Sequence, residues 1–292
     1  MSLTAFSLVI LAGLIHACWN IAAKKAHGDT RFALLTSVLQ MLVWAPVGLW
    51  LGSAQLPHWN AQAWLCVALS GVLHVAYFTV LLRGYRLSDL TVVYPVARGS
   101  APLISSMVAI AVLGESISNL GLLGMLGVVL GVFLIAGGPG LLRAASLPEQ
   151  RARMQTGLFY GAWTGLCIAS YTVIDGYAVK VLLLSPILID YVSNLLRIVI
   201  LSPLAWRSRH NLLALWGKQW RYALLVAIFS PVSYVLVLYA MQTAPLSHVA
   251  PAREVSMLFA ALIGGRLLSE GDRLLRILGA ALIAAGVVAL GL

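Results

Sequence analysis

The chain alternates between long apolar runs and short polar breaks, and the runs have the length of membrane-crossing helices. Leu3–Ala23 carries no acid or base, and neither does Gly121–Gly138. Each is long enough to cross a hydrocarbon core about 30 Å thick as an α-helix. The pattern predicts ten spans, at 3–23, 32–51, 62–82, 90–113, 119–137, 157–179, 186–205, 222–241, 246–267 and 274–292. Turn formers mark the connections: Gly52, Pro57 and Asn60; Gly137, Gly138, Pro139 and Gly140; Pro186; Pro245. A barrel would need shorter segments of alternating polarity, so the pattern predicts an all-α integral membrane protein.

Composition agrees. Of 292 residues, 61% are hydrophobic and 10% charged, whereas soluble domains carry about a quarter charged residues. So few charges do not shield that much apolar surface from water. The first base is Lys24, so residues 3–23 read as a first membrane helix and not as a cleaved signal peptide.

The net charge of +10 does not point to nucleic acid, because the bases are spread over short loops. No Arg-rich helix, aromatic-basic strand or zinc-finger spacing occurs. The loops after spans 1, 3, 5, 7 and 9 hold Lys24, Lys25 and Arg31; Arg83 and Arg86; Arg143, Arg151 and Arg153; Arg207, Arg209, Lys218 and Arg221; Arg266, Arg273 and Arg276. The loops after spans 2, 4, 6 and 8 hold Lys180 alone. Cytoplasmic loops carry the excess of Lys and Arg, so the odd-numbered loops are expected inside and both termini outside.

A shift of 155 residues brings the least ordinary positions into register. Ala97-Arg98 falls on Ala252-Arg253, Leu113-Gly114-Glu115 on Leu268-Ser269-Glu270, Gly124 and Gly131 on Gly279 and Gly286, Asn20 on Asp175, and Lys25 on Lys180. Each half has an odd number of spans, so the second half must sit upside down relative to the first. Ten helices in two inverted five-helix repeats around a central cavity, with the solute near the midplane, is a transporter arrangement. The expected organisation is a first repeat over 1–137, a cytoplasmic linker over 138–156 and a second repeat over 157–292.

A span ending in Leu113-Gly114-Glu115, followed by Gly121, Gly124, Gly127 and Gly131, with its echo at Leu268-Ser269-Glu270, Gly279 and Gly286, resembles the EamA-type drug/metabolite transporter superfamily. The resemblance covers nearly the whole chain. It implies a ten-helix fold with a central cavity, and export of amino acids or other small metabolites across a bacterial inner membrane. The sequence departs from many relatives in two ways. His16-Ala17-Cys18-Trp19-Asn20 stands where they have a Trp-Gly-Ser-like turn, and its loop charges place the termini outside.

Charges within the spans are the informative ones, because six unpaired charges would cost on the order of 15 kcal/mol. They are Arg98, Asp175, Asp190, Arg197, Arg253 and Glu254, three of each sign. Asp190 and Arg197, two turns apart with Asn194 between them, read as one polar stripe facing a neighbour. Arg98 and Arg253 occupy equivalent places beside Pro95, Pro102 and Pro251. Proline frees the carbonyl four residues earlier, which is tolerated at membrane depth only where protein or a wet cavity satisfies it. An Arg beside such a kink can hold a carboxylate by two parallel hydrogen bonds, so one of the two is expected to bind an anionic group and the other to pair with Asp175 or Glu254.

The remaining candidates for binding the solute are His16, Asn20, His74, Tyr77, Tyr94, Trp163 and Tyr171, polar and aromatic groups on faces of several helices. Interhelical hydrogen bonds are the alternative reading of each. Proton coupling through His16, His74, Asp175 or Glu254 and facilitated movement both stay open. Gly161 and Gly165, like Gly127 and Gly131, have the spacing of close helix packing. Glu115 and Glu270 read as caps or interfacial anchors. The isolated Cys18, Cys66 and Cys167 form no ligand set, and no metal or cofactor is expected. The expected partners are a small-molecule solute, such as an amino acid, and membrane lipid; a monomer suffices, since both repeats lie in one chain. An intramembrane enzyme acting on a lipid is the competing class, although no catalytic motif such as His-Glu-x-x-His or Gly-x-Ser-x-Gly occurs.

Overall fold

A computed structural model of the chain describes residues 1–26, 29–88, 90–135, 138, 148–206, 212–263 and 273–292. Glu270 with Leu268 and Ser269, loop bases Arg143, Arg207, Arg209 and Arg266, and Gly137, Pro139 and Gly140 lie outside the described residues. The helices are α1 (Leu3–Lys25), α2 (Thr30–Gln55), α3 (Ala61–Leu87), α4 (Leu90–Leu113), α5 (Asn119–Ile135), α6 (Pro148–Lys180), α7 (Pro186–Trp206), α8 (Leu212–Thr243), α9 (Leu246–Ala252), α10 (Val255–Ile263) and α11 (Arg273–Gly291). α9 and α10 are halves of one span, so the described residues form ten spans and no strand.

Local chemistry sets the ends. Asp29 caps α2 by accepting from the Arg31 and Phe32 amides at 2.9 and 3.2 Å, and Asn60 caps α3 by accepting from the Ala63 amide at 2.8 Å. Two helices start earlier than hydropathy places them: α6 at 148 against 157, and α8 at 212 against 222. The added turns of α6 are rich in Gln and Arg, and those of α8 carry Lys218, Gln219 and Arg221 after an apolar start, good helix formers that an apolar scan reads as loop.

The ninth span is where expectation and structure part most. A continuous helix over 246–267 was expected, but the chain breaks after Ala252. There the amides of Glu254, Ser256 and Met257 each bond three residues back, at 3.0, 3.2 and 2.9 Å, a local tightening of the helix. Pro251 frees the Ser247 carbonyl, and the Ser106 hydroxyl of α4 donates to it at 3.2 Å. α4 keeps Pro95 and Pro102 inside one unbroken helix, so the equivalent spans differ in their kinks.

Packing obeys the inverted repeat. α1 packs on α8 and α10, as α6 packs on α3 and α4; α2 packs on its equivalent α7, and α5 on its equivalent α11. The last pair is the tightest crossing. A Cβ on Gly124 would stand 2.7 Å from the Gly286 carbonyl oxygen, and one on Gly131 2.6 Å from that of Gly279. Because 124 corresponds to 279 and 131 to 286, each contact is the two-fold mate of the other, as in a symmetric dimer interface. Only glycine lets the two backbones come that close. Glycines on α6 act likewise against α4: a Cβ at Gly161 would meet Val96 Cβ at 2.7 Å and the Val93 carbonyl at 2.9 Å.

The exterior is apolar, and the polar and charged groups within the spans are gathered in an otherwise apolar interior. Leu42, Leu49, Trp50, Met107, Leu123 and Val199 face outward, while Ser70, Thr164, Asp175, Asn194 and Glu254 are buried, the arrangement lipid demands. We predict that Gly131→Ala lowers the monodisperse fraction in detergent size-exclusion chromatography. Gly127→Ala, whose added methyl finds its nearest neighbour at 3.6 Å, should elute like the parent chain.

Candidate functional site

Midway along the bundle, α1, α3, α4, α6, α7, α8 and the α9–α10 break enclose a cavity of about 190 Å³. That is below the roughly 300–1,000 Å³ of pockets for drug-sized ligands, so it suits a small metabolite. His16 and Asn20 reach it from α1, His74 and Tyr77 from α3, Tyr94 and Arg98 from α4, Tyr171 from α6 and Arg253 from the break.

One acid joins two of the expected arginines. Glu254, 1% exposed, lies 2.8 Å from Arg98 Nη2 and 3.8 Å from Arg253 Nε. Arg98 Nη2 also donates to Ser256 Oγ at 3.1 Å. One carboxylate against two guanidiniums leaves this cluster with a net positive charge at the cavity wall. Arg98 Nε and Arg253 Nε have no hydrogen-bond acceptor among the described residues. A buried cation with free donors is suited to an anionic group.

Arg197 pairs with Asp190 at 3.2 Å, and Gln40 of α2 donates to the other Asp190 oxygen at 2.7 Å. Asn194, between them, donates to the Ser37 carbonyl of α2 at 2.8 Å. The stripe thus faces α2, and its two charged members also line the cavity.

Aromatic groups form much of the remaining wall. His74 stacks on Tyr171 with ring centroids 3.9 Å apart, and the Tyr234 ring stands edge-on to His74 at 5.5 Å. Trp19 packs against His16 at 4.7 Å and donates to Ser233 Oγ at 3.1 Å.

Three sequence candidates lie elsewhere. Asp175 and Glu254 are behind the wall and reach the cavity only through their partners. Trp163 is on the outer face, 49% exposed, with Phe159 beside it at 6.3 Å. Eight residues of α-helix turn the chain about 80° past two full turns, which carries Trp163 off the face of Tyr171. Thr164 and Ile168 line the cavity in its place. Trp19, Ser230, Ser233, Tyr234 and Ser256 also line it without having been expected. The available signal for Tyr234 was local: Ser230, Pro231 and Ser233 make the middle of α8's membrane segment its least apolar part.

The cavity is one-sided. Asn20, Leu81 and Tyr94, near the ends of α1 and α3 and the start of α4, line it toward the basic loops. There a second chamber of about 200 Å³ adjoins it, sharing Trp19, His74, Tyr77 and Arg197 and extending to Ala23, Phe32 and Thr36. The opposite end is tied across the repeats. Glu115 accepts from the Leu246 and Ser247 amides at 2.8 and 2.9 Å and from Lys180 Nζ at 3.0 Å. Gln62 donates to the Tyr177 hydroxyl at 2.9 Å. Gly114, with φ +68°, makes the left-handed turn that sends Glu115 there. Lys180, the lone base among the even-numbered loops, is thereby paired.

Burial pushes the Glu115 carboxyl upward, but the Ser247 and Leu246 amides and Lys180 outweigh it and hold its pKa below the ordinary 4.5. A depressed carboxyl pKa contributes stability that is complete above the ordinary value and lost as pH falls through the lowered one. Glu115→Ala should therefore lower the thermal midpoint by several degrees at pH 7, from a loss of roughly 2–3 kcal/mol. The difference from the parent chain should shrink as the pH is taken well below 4. In the interior, Asp190→Asn should destabilise by roughly 3–5 kcal/mol by stranding Arg197. Asp190→Asn with Arg197→Gln should recover most of that, read as the coupling in a double-mutant cycle of thermal midpoints.

A family model described as the EamA-like transporter family matches residues 3–137 and again 155–292. No curated protein matches the chain. One solved crystal structure superposes with a TM-score of 0.71 over 98% of this chain and 96% of its own, at 15% identity, a likeness that shows the fold.

Proposed function

The chain belongs to the EamA-like transporter family, a multi-pass membrane family that moves small solutes, and from its cavity we propose that it carries an amino acid by alternating access. The observation that supports this reading is the Arg98–Glu254–Arg253 cluster, built from equivalent positions of the two repeats at the midplane. Its surplus positive charge takes the carboxylate. Asp190, Tyr77, Tyr94 and Tyr171 form the wall around the rest of the molecule, and the aromatic groups favour an aromatic or large apolar side chain. Anionic, cationic and apolar surfaces within one small chamber together suit a zwitterion.

The bias of basic residues supports cytoplasmic odd-numbered loops and termini on the opposite face, which in the bacterial inner membrane that the family resemblance implies is the periplasmic one. With that orientation the chamber faces inward and the Glu115 tie closes the periplasmic end. An inward-facing chamber that loads from the cytoplasm suits export.

The test is counterflow in proteoliposomes preloaded with L-phenylalanine, followed as uptake of labelled L-phenylalanine and of other labelled amino acids. Accumulation of label by the parent chain is expected. Loss of at least about thirtyfold is expected in Arg98→Ala, because removing one partner of a close buried charge pair costs about 2–5 kcal/mol, and a smaller loss in Arg253→Ala, whose guanidinium lies 3.8 Å from Glu254. Unchanged counterflow in both folded variants would remove the arginines from the solute site.

A further inference from the structure

Of the six charges inside the spans, five are accounted for: Arg98 and Arg253 with Glu254, and Arg197 with Asp190. Asp175 is the sixth. It is 0% exposed and makes no ion pair among the described residues. Ser70 Oγ donates to Asp175 Oδ2 at 2.8 Å, and the Tyr234 hydroxyl makes a short hydrogen bond to the same oxygen. Oδ1 has no partner. A carboxylate with both donors on one oxygen, the other bare, and no cation beside it is a poor resting place for a full charge in a bundle interior. A proton on the carboxyl group removes that charge and keeps Ser70 and Tyr234 as its hydrogen-bond partners.

The surroundings give this acid a route to the cavity and few competitors. Cys66 and Ser70 face it from α3, Tyr171 from its own helix and Tyr234 from α8, with His74 one step further, against Ser70; Asp190 and Arg197 of α7 are the charges that reach it. Those two charges pair with each other. Arg253 acts on its neighbours Tyr171 and Tyr234 and is held near Glu254. Tyr234 and His74 both line the cavity, and Ser70 Oγ lies 3.3 Å from His74 Nδ1. A proton from cavity water can pass onto the Tyr234 hydroxyl oxygen as the hydroxyl's own proton moves to Oδ2, so that the acid now donates to the tyrosine; one negative charge and one proton become a neutral acid.

We propose that Asp175 is a reversible proton-binding site whose proton is given up when a substrate ammonium enters the cavity, making this an amino acid/proton exchanger. The exchange rests on the zwitterion reading above. With the solute's carboxylate on the arginines, its ammonium lies within the same small chamber as Tyr234 and His74, where it favours an ionised Asp175. By linkage each weakens the other, so solute and proton alternate on the carrier. At the repeat-equivalent position stands Asn20, an amide of the same shape that holds no exchangeable acid proton. Asp175→Asn is therefore the natural variant.

The experiment uses the purified full chain. Infrared difference spectra over a pH series should show a protonated-carboxyl C=O band that disappears as pH rises, and Asp175→Asn should lack it. With a pH-indicator dye in weak buffer, L-phenylalanine should release close to one proton per molecule bound, and phenylacetate, which has no ammonium, should release none. In Asp175→Asn the release per bound L-phenylalanine should fall at least tenfold. Tyr234→Phe is the second variant: it should keep the band while slowing the release severalfold. A band that persists in Asp175→Asn, or proton release unchanged in it, overturns the assignment. Failure of amino-acid counterflow in the parent chain overturns the zwitterion reading and the exchange with it, while the infrared band reports on Asp175 independently.

Discussion

Glu254 is one carboxylate held between two guanidiniums, Arg98 from the first repeat and Arg253 from the second, and the rest of the interior is arranged around that shared acid. Three charges buried in a lipid-embedded bundle persist only in one another's company. To bring them together, α4 must approach the ninth span closely, and that span must break so that consecutive residues 253 and 254 both take part. Pro251 and the Ser106 hydroxyl make the break tolerable. The two-to-one ratio of cations to anions then leaves positive charge on a cavity wall that is otherwise aromatic and polar. Structure and binding chemistry are in this sense one arrangement.

The inverted repeat supplies the geometry. Glycines at 124 and 131 meet glycines at 286 and 279 in reciprocal contacts, which fixes α5 and α11 as an antiparallel pair across the pseudo-two-fold. Equivalent helices meet across the same relation elsewhere in the bundle, so equivalent arginines arrive at the midplane from opposite sides. Perfect symmetry would give a cavity equally closed or equally open at both ends. The symmetry is broken instead: α4 is continuous where its equivalent is split, Asn20 stands where its equivalent is an acid, and Glu115 ties one end while a chamber adjoins the other. Such departures are what allow a single chain to present its site to one side at a time.

Much of this was legible in the sequence, for physical reasons. Membrane helices have no water to hydrogen-bond, so apolar length alone marks ten spans, and charges inside them stand out because each is costly. That cost is why Arg98, Arg253 and Glu254 were visible as candidates before any contact was known. Helical periodicity was less reliable at longer range. Trp163 was placed two turns from Tyr171, yet the accumulated rotation puts it against lipid. Tyr234 carries no charge; the Ser230-Pro231-Val232-Ser233 run just before it was the local signal, and it is a weak one. The polar first turns of α6 looked like loop, as did the Gly217–Arg221 stretch that interrupts the apolar run of α8, since hydropathy reports burial in lipid and not helicity. Which acid each arginine chose depended on the break after Ala252, and a proline in the sequence announces a kink without giving its direction.

The central claim is that two inverted repeats enclose one midplane chamber open toward the basic loops alone. A single cysteine at Leu81, which lines the cavity near the end of α3, introduced after Cys18, Cys66 and Cys167 are replaced by serine, tests it directly with a membrane-impermeant thiol reagent. The account predicts rapid labelling in inverted vesicles, where the basic loops face the reagent, and protection in right-side-out vesicles. Equal labelling from both sides, or labelling from the Glu115 side alone, would contradict it.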